Sequence, residues 1–269
     1  MNDYGMLMDT TKCVGCYSCV TSCQKQNDLG PDVQFIRFAE VELGVAPDLH
    51  TQIVPIQCMQ CKDSPCVAVC PTGASHIDDR GIISVDLDRC IGCKYCISVC
   101  PFDVRQVNIA DDTVDKCRFC AVDDDNGEPT CSCVATCLTG ARKIGKRDEI
   151  IDEAHKRVEE LKARGMDKAC IYGEDEMGGM SMITVLGYDI AEGELPADAK
   201  PSGMVGALDA MKPIAGVGAA ALVAGLGISF ISGAGYHRDE MRYDEEAHDV
   251  VDVETGEIIK HIDKEAGER

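Results

Sequence analysis

Cys90-Ile91-Gly92-Cys93-Lys94-Tyr95-Cys96-Ile97-Ser98-Val99-Cys100-Pro101 is the stretch whose reading decides this chain. Its thiols follow the step C-x2-C-x2-C-x3-C, which gathers neighbouring sulfurs at one place. Disulfides instead join partners brought from different parts of a chain. Working outward, three more strings appear. They are Cys13-x2-Cys16-x2-Cys19-x3-Cys23, then Cys58-x2-Cys61-x4-Cys66-x3-Cys70-Pro71, and finally Cys117-x2-Cys120, which closes after an acidic insertion with Cys133-x3-Cys137. The chain has 18 cysteines in 269 residues, far above ordinary usage. Met1 to Gly5 lead almost directly to Cys13 with no basic stretch followed by an apolar one, so no secretory leader is expected. A disulfide scaffold is accordingly disfavoured.

The spacing has a geometric meaning. Three cysteines set three apart wrap one short loop around three corners of an iron–sulfur cube, and the fourth leads away to ligate the other cluster of a pair. Strings therefore come in twos, and four strings make two pairs with four [4Fe–4S] clusters. Gly15 and Gly92, just before the second cysteine, let the backbone approach without Cβ crowding. A structural zinc adaptor would need two CxxC pairs and no third cysteine at the same step. A radical-SAM site would need C-x3-C-x2-C, and each x3 step here lacks the following cysteine.

Net charge of −21 argues against nucleic acid, and the absence of Trp removes any obvious base-stacking surface. There is no phosphate-cradling glycine loop, no nucleophile–base pair and no His/carboxylate set placed for substrate chemistry. The six histidines are scattered and read as surface residues. No catalytic residue is expected, and the chemistry is one-electron relay. Lys12, Lys62, Arg89, Lys94, Lys116 and Arg118 adjoin ligands and are candidates to offset cluster charge.

Beyond Cys137 the pattern changes. Asp148 to Arg164 reads as a helix with Ile151, Ala154, Val158 and Leu161 on one face, Asp148 as N-cap, Gly165 after its end, and a Glu160–Arg164 pair. Met182 to Leu186 reads as a strand after a Gly178-Gly179 turn, and the stretch around Pro196 and Pro201 as a linker. Ile214 to Gly235 follow Pro213 without a charge. As a helix they would extend about 33 Å, enough for a ~30 Å hydrocarbon core, and Ala221, Gly225, Ser229 and Gly233 would form a small-residue ridge. From Asp239 onward the acidic tail reads as solvated and mobile.

The first and third strings resemble the bacterial ferredoxin run, with proline present only in the third. All four look like those of the four-cluster iron–sulfur subunits that serve molybdenum and tungsten oxidoreductases and some nickel–iron hydrogenases. The run from Lys156 to Gly165, together with Tyr172, Gly178-Gly179, Val185-Leu186 and Lys212-Pro213, is similar to the β subunit of membrane-bound respiratory formate dehydrogenase. That resemblance implies that the first string pairs with the fourth and the second with the third. One cluster would take Cys13, Cys16, Cys19 and Cys137, and its mate Cys117, Cys120, Cys133 and Cys23. The inner pair would take Cys58, Cys61, Cys66 and Cys100, then Cys90, Cys93, Cys96 and Cys70. Cys131 competes with Cys133, but only Cys133 keeps the x3 step to Cys137, and Cys133-Val-Ala-Thr-Cys137-Leu-Thr-Gly-Ala echoes Cys66-Val-Ala-Val-Cys70-Pro-Thr-Gly-Ala. Cys170 lies apart and reads as a small buried hydrophobe. Gln24 and Leu138 stand where proline often follows the fourth cysteine.

The expectation is an α+β protein: two ferredoxin-like dicluster modules with long loops, followed by a single C-terminal transmembrane helix. Residues 1–147 would hold the clusters, 148–212 would pack on them, 213–236 would span, and 237–269 would form the tail. The resemblance implies a molybdopterin-containing catalytic subunit that oxidises formate and a membrane cytochrome b partner leading to quinone. It also implies a single-pass location in the cell membrane with the cluster head on the outer, periplasmic side. The same strings would serve a membrane nickel–iron hydrogenase or a sulfur- or sulfoxide-type reductase.

Overall fold

Tyr4–Asp9 (β1) is buried along nearly its whole length, and this strand organises the sheet of the molecule. The structure is a computed structural model and describes residues 4–120, 122–123, 129–201, 205, 241–244, 247, 249–253 and 255–261. In chain order, β1 is followed by α1 (Ser18–Asn27), β2 (Arg37–Leu43), β3 (His50–Ile56), α2 (Pro65–Ala68), β4 (Ser75–Ile77) and β5 (Ile83–Val85). Next come α3 (Tyr95–Ser98), β6 (Gln106–Val107), β7 (Val114–Asp115), β8 (Val122–Asp123), β9 (Pro129–Thr130) and α4 (Ser132–Ala135). The remainder of this part is β10 (Arg142–Lys146), α5 (Arg147–Ala163), β11 (Cys170–Tyr172) and β12 (Met182–Leu186).

Four strands form one sheet in the order β10-β1-β12-β11. β1 runs antiparallel to β10 and parallel to β12, and β11 returns antiparallel to β12. β10 and β11, at the two edges, run parallel to each other, and α5 lies in the crossover that joins them. Alternate residues of β1 then serve two cores. Leu7 faces Ile150, Ala154, Val158 and Leu161 of α5, together with Ile183 and Val185. Met6 faces the opposite way, into the core that contains cysteines of all four strings and Met182 and Leu186. Leu161 and Ala154 are almost wholly buried, and a leucine so placed contributes about 1.5–3 kcal/mol.

The expected helix is present one residue early at both ends, as Arg147–Ala163, and buries Ile150 where the sequence pattern put Ile151 on the face. Lys146 occupies its N-cap without a side-chain bond, leaving Asp148 and Glu149 as first-turn acids that favour the helix dipole. Gly165 has a φ of 92°, as a residue after a helix end often does. Glu160 pairs with Arg157 at 2.9 Å and not with Arg164, because Arg157 points across to β1. The strand Met182–Leu186 appears with those bounds, preceded by left-handed Gly178 and Gly179. The stretch expected to be a linker is anchored on the core instead: Leu195 and Ala199 are buried, and the Tyr172 hydroxyl donates to Pro196 O at 2.9 Å.

The expected membrane span needs correction. Residues 213–236 lie outside the described residues, and among the described residues no helix is long and apolar enough to cross a membrane. The longest of them, α5, has 17 residues and a charged outer face. At 1.5 Å per residue it extends about 25 Å, short of a ~30 Å hydrocarbon core. The single-pass anchor, the membrane location with an outward head and the membrane cytochrome b partner docked through a helix therefore have no supporting element among the described residues. They are not carried forward.

The chain divides into two compact units, Met1–Ala210 and Met211–Arg269. The second contains β13 (Met241–Asp244), β14 (Asp249–Asp252) and β15 (Ile258–His261), an antiparallel sheet in that order. The acidic tail thus holds ordered strands where its composition suggested a solvated coil. Val250 and Val251 lie on its central strand, and Ile258 and Ile259 on an edge strand.

Candidate iron–sulfur centres

Each CxxC loop turns on one left-handed residue directly before its second cysteine. These are Gly15 (φ 63°), Gln60 (φ 54°), Gly92 (φ 65°) and Phe119 (φ 43°). A Cβ at Gly15 would lie 2.5 Å from Ile53 Cδ1, and one at Gly92 would lie 2.5 Å from Asp112 O. Gln60 and Phe119 adopt the same turn with side chains, at a cost of about 1–2 kcal/mol each, and both are buried. Gln60 is held by bonds that offset this: it accepts from Ile83 N at 2.8 Å and donates to Cys117 O at 3.2 Å. The next ligand of every string enters a short helix. Cys19 lies on α1, Cys66 on α2, Cys96 on α3 and Cys133 on α4. Cys133 occupies the second position of α4 as Cys66 does of α2, whereas Cys131 is the residue before the helix.

These turns gather the thiols in fours. Cys13, Cys16, Cys19 and Cys137 line a cavity of about 320 Å³, together with Met8, Phe38 and Arg142. Cys23, Cys117, Cys120 and Cys133 line another of about 330 Å³, which Cys131 also borders. Cys70, Cys90, Cys93 and Cys96 line a third of about 360 Å³. Burial raises the Cys61 thiol first, and the neighbouring charges of Cys58, Cys66 and Cys100 raise it further, which brings these four together as the fourth group. Cys131 Sγ and Cys133 Sγ lie 3.5 Å apart. Cys170 stands elsewhere, on β11, with its thiol donating to Tyr188 O at 3.4 Å.

The electrostatics fit a cationic guest. Burial pushes up Cys13, Cys19, Cys96, Cys100, Cys117 and Cys120, and Cys23 reaches about 12. Cys133 is raised first by its hydrogen bond with Cys131 and then by burial, while that bond lowers Cys131. Four thiolates in so dry a place need metal charge to balance them. Among the described residues, no group of three or more His, Cys, Asp or Glu forms a site for a single metal ion. Quartets of thiols around a common cavity match a cube with a ligand at each corner.

Of the basic residues expected to offset cluster charge, only Lys116 is buried, and its ammonium donates to Ile83 O and, at 2.8 Å, to Cys117 O. Lys12, Lys94 and Arg118 pair with Asp9, Asp112 and Asp115, and Arg89 donates to Thr72 O. Sequence reasoning missed two further buried cations. Arg105 and Arg142 are each 4% exposed. Each stands five residues after the last cysteine of its string, a regularity visible in Cys100-Pro-Phe-Asp-Val-Arg105 and Cys137-Leu-Thr-Gly-Ala-Arg142.

The arrangement defines the class: a protein of tandem 4Fe-4S dicluster modules, with places for up to four [4Fe–4S] clusters. Profiles described as "4Fe-4S dicluster domain" match residues 12–74 and 49–147. The iron–sulfur subunit of nitrate-inducible formate dehydrogenase from Escherichia coli (strain K12) is 34% identical over 266 residues, covering 90% of this chain and 88% of its own. The thiosulfate reductase electron transfer subunit PhsB of Salmonella typhi is 41% identical over 155 residues, 55% of this chain and 78% of its own. The NrfC homolog of Haemophilus influenzae is 37% identical over 159 residues, 58% of this chain and 71% of its own. The chain belongs to this family of iron–sulfur electron-transfer subunits, related to the formate dehydrogenase, PhsB and NrfC types. Its part in an oxidoreductase complex is electron transfer and not catalysis.

Proposed function

We propose that the chain relays electrons through four [4Fe–4S] clusters from a molybdopterin-containing catalytic subunit that oxidises formate. The single observation that carries the relay is the sequence of thiol quartets. Cys13, Cys16, Cys19 and Cys137 adjoin Cys117, Cys120, Cys133 and Cys23 through the nearness of Cys19 to Cys133. That quartet adjoins Cys58, Cys61, Cys66 and Cys100 through Cys117 and Cys58, both buried, with the charge of Cys58 acting on Cys117. Cys66 and Cys96 then lead to Cys90, Cys93, Cys96 and Cys70. Exposed ligands occur only in the two end quartets, as Cys16 and Cys93, while the middle quartets are screened from water. Such an order suits entry at one end and exit at the other.

Clusters of this kind supply reversible one-electron storage when bound. The chain's own residues fix their positions, exclude water and present hydrogen bonds and charge to the sulfurs. The formate assignment is supported by the relative whose match runs along nearly the whole of both chains. The higher identity to the thiosulfate reductase subunit covers only 55% of this chain and favours a sulfur-type partner as the second reading. The test is dye reduction by the intact complex. Formate-driven reduction with about sixteen irons per chain is expected. Reduction that follows hydrogen or needs a sulfur oxyanion, with formate inert, would overturn the formate reading. Zinc with little iron would remove the relay itself.

A further inference from the structure

We propose that Arg142 and Arg105 are positioning residues, each a buried cation shared by the two clusters of one pair, which raise the reduction potentials of both. This rests on the ligand quartets proposed above. Arg142 borders the cavity of Cys13, Cys16, Cys19 and Cys137. The thiol charges that act on it most are Cys133, Cys19 and Cys117, with Cys131 after them, and they come from both quartets of the outer pair. Arg105 borders the cavity of Cys70, Cys90, Cys93 and Cys96, and the thiol charges that act on it most are Cys66, Cys96 and Cys58, one quartet on each side.

The two sites are copies of one device. Ser75, Arg105 and Arg142 all stand five residues after the last cysteine of their strings. Within the inner pair the two equivalent positions touch, because Arg105 Nη2 donates to Ser75 Oγ at 2.8 Å. In the outer pair Arg142 Nη1 donates to Gln57 Oε1 at 2.8 Å, and Gln57 Nε2 lies 3.8 Å from Cys117 Sγ. Each guanidinium is therefore anchored through one nitrogen. In each case the second terminal nitrogen, Arg142 Nη2 and Arg105 Nη1, is buried without a hydrogen-bond partner among the described residues. A buried N–H left unmet costs about 1–3 kcal/mol, and the acceptors on that side are the sulfurs of the quartets. Among the described residues neither arginine has a carboxylate partner, unlike Lys12, Lys94 and Arg118, whose charges are matched near the surface. One-electron uptake adds one negative charge to a cluster, which an unmatched buried cation stabilises far more than a screened surface one. The chain's net charge of −21 works in the opposite direction.

The experiment is a mediator-poised redox titration of the full chain, with dithionite as electron source and the clusters followed by electron paramagnetic resonance. Wild-type protein with about sixteen irons secures the underlying reading, and wild type without them would sink that reading alone. R142Q is expected to lower two of the four midpoint potentials by a factor of about ten in the reduction equilibrium, or 59 mV for one electron. R105Q is expected to lower the other two, while R142K and R105K, which keep the charge, shift less than half as far. Where R142Q or R105Q fails to retain iron, Q57E or S75D replaces it, placing a carboxylate against the guanidinium and lowering the same two potentials. Unchanged potentials in iron-replete variants would overturn the proposal. So would a shift confined to one cluster, or both variants moving the same two.

Discussion

Replacing Asp9 by alanine tests how β1 holds the first cysteine string in place. The Asp9 side chain is 1% exposed and meets Arg157 Nε at 2.7 Å, while Arg157 is 13% exposed. The other carboxylate oxygen accepts from Thr11 N at 3.0 Å and from the Thr11 hydroxyl, capping the turn that leads into Cys13. Arg157 Nη2 donates to Thr11 Oγ1 at 3.0 Å, closing a ring between β1, that turn and α5. Removing one partner of a buried pair costs about 3–5 kcal/mol, against about 0–1 for an exposed pair. Arg157 would keep Glu160 at 2.9 Å, so the lower end applies, at about 3 kcal/mol. For a domain of this size that is a fall in melting temperature of about 6–12 °C. Iron should fall with it, from about sixteen towards twelve per chain, because the loop of Cys13, Cys16 and Cys19 loses its anchor. Lys143→Ala serves as the control. It breaks an exposed pair with Glu153 of α5 and should move the midpoint by no more than about 4 °C. Thermal unfolding followed by circular dichroism, with iron and acid-labile sulfide analysis, reads both. An Asp9→Ala protein with full iron that melts within the control's range would refute the reasoning.

Three further outcomes are expected. Cys133→Ser should lose about four irons while Cys131→Ser keeps about sixteen, since only Cys133 shares the helical position of Cys66; the reverse pattern on iron analysis would exchange their roles. Gly92→Ala, at φ 65° with Asp112 O 2.5 Å from the new Cβ, should destabilise by about 2 kcal/mol and release iron from one cluster; an unchanged melting curve would contradict the strained turn. Burial alone would raise Asp78, but bonds from Arg80 and the amides of Ile82 and Arg80 outweigh it and hold its carboxyl below 3.8. A depressed carboxyl stabilises above its unfolded value and loses that contribution as pH falls through the folded one. Asp78→Asn should therefore lower the melting temperature near pH 7 and converge with wild type near about pH 2, whereas a constant difference would disprove the linkage.

The centres were legible in the sequence because ligand spacing is local: a CxxC step fixes its own loop, and glycine betrays the left-handed turn at Gly15 and Gly92. The same turn at Gln60 and Phe119 was hidden, since its strain is offset by tertiary contacts such as the bond from Ile83 N to Gln60. Arg105 and Arg142 escaped notice for a related reason. Nothing beside them in sequence marks them as buried, and their anchors Ser75 and Gln57 lie 30 and 85 residues away. β12 was readable as an apolar run bounded by glycines. β1 was not, because its residues Gly5 to Asp9, buried on both faces, carry no alternation and lead straight into a cysteine string. The strands of the acidic tail were masked by composition, where charge outweighed the short Val250-Val251 and Ile258-Ile259 pairs.

β1 explains why strings so distant in sequence can share clusters. It ends at Asp9, and the first string begins four residues later; β10 begins at Arg142, five residues after Cys137. The antiparallel register pairs Met8 with Arg142, which puts the entrance of the first string beside the exit of the fourth. The exchange of ligands proposed between the outer strings would follow from that one strand pair, with Arg142 at once a ladder residue and the proposed shared cation. The inner strings obtain the same result with less: β4 begins at Ser75, five residues after Cys70, and Ser75 meets Arg105. The outer pair, whose strings enclose residues 24–116, needs a sheet and a helix to close that loop, and β1 with β10 and α5, tied by the Asp9–Arg157 pair, supply them. Residues 148–186 are in this sense part of the cluster housing, although they carry none of the ligands.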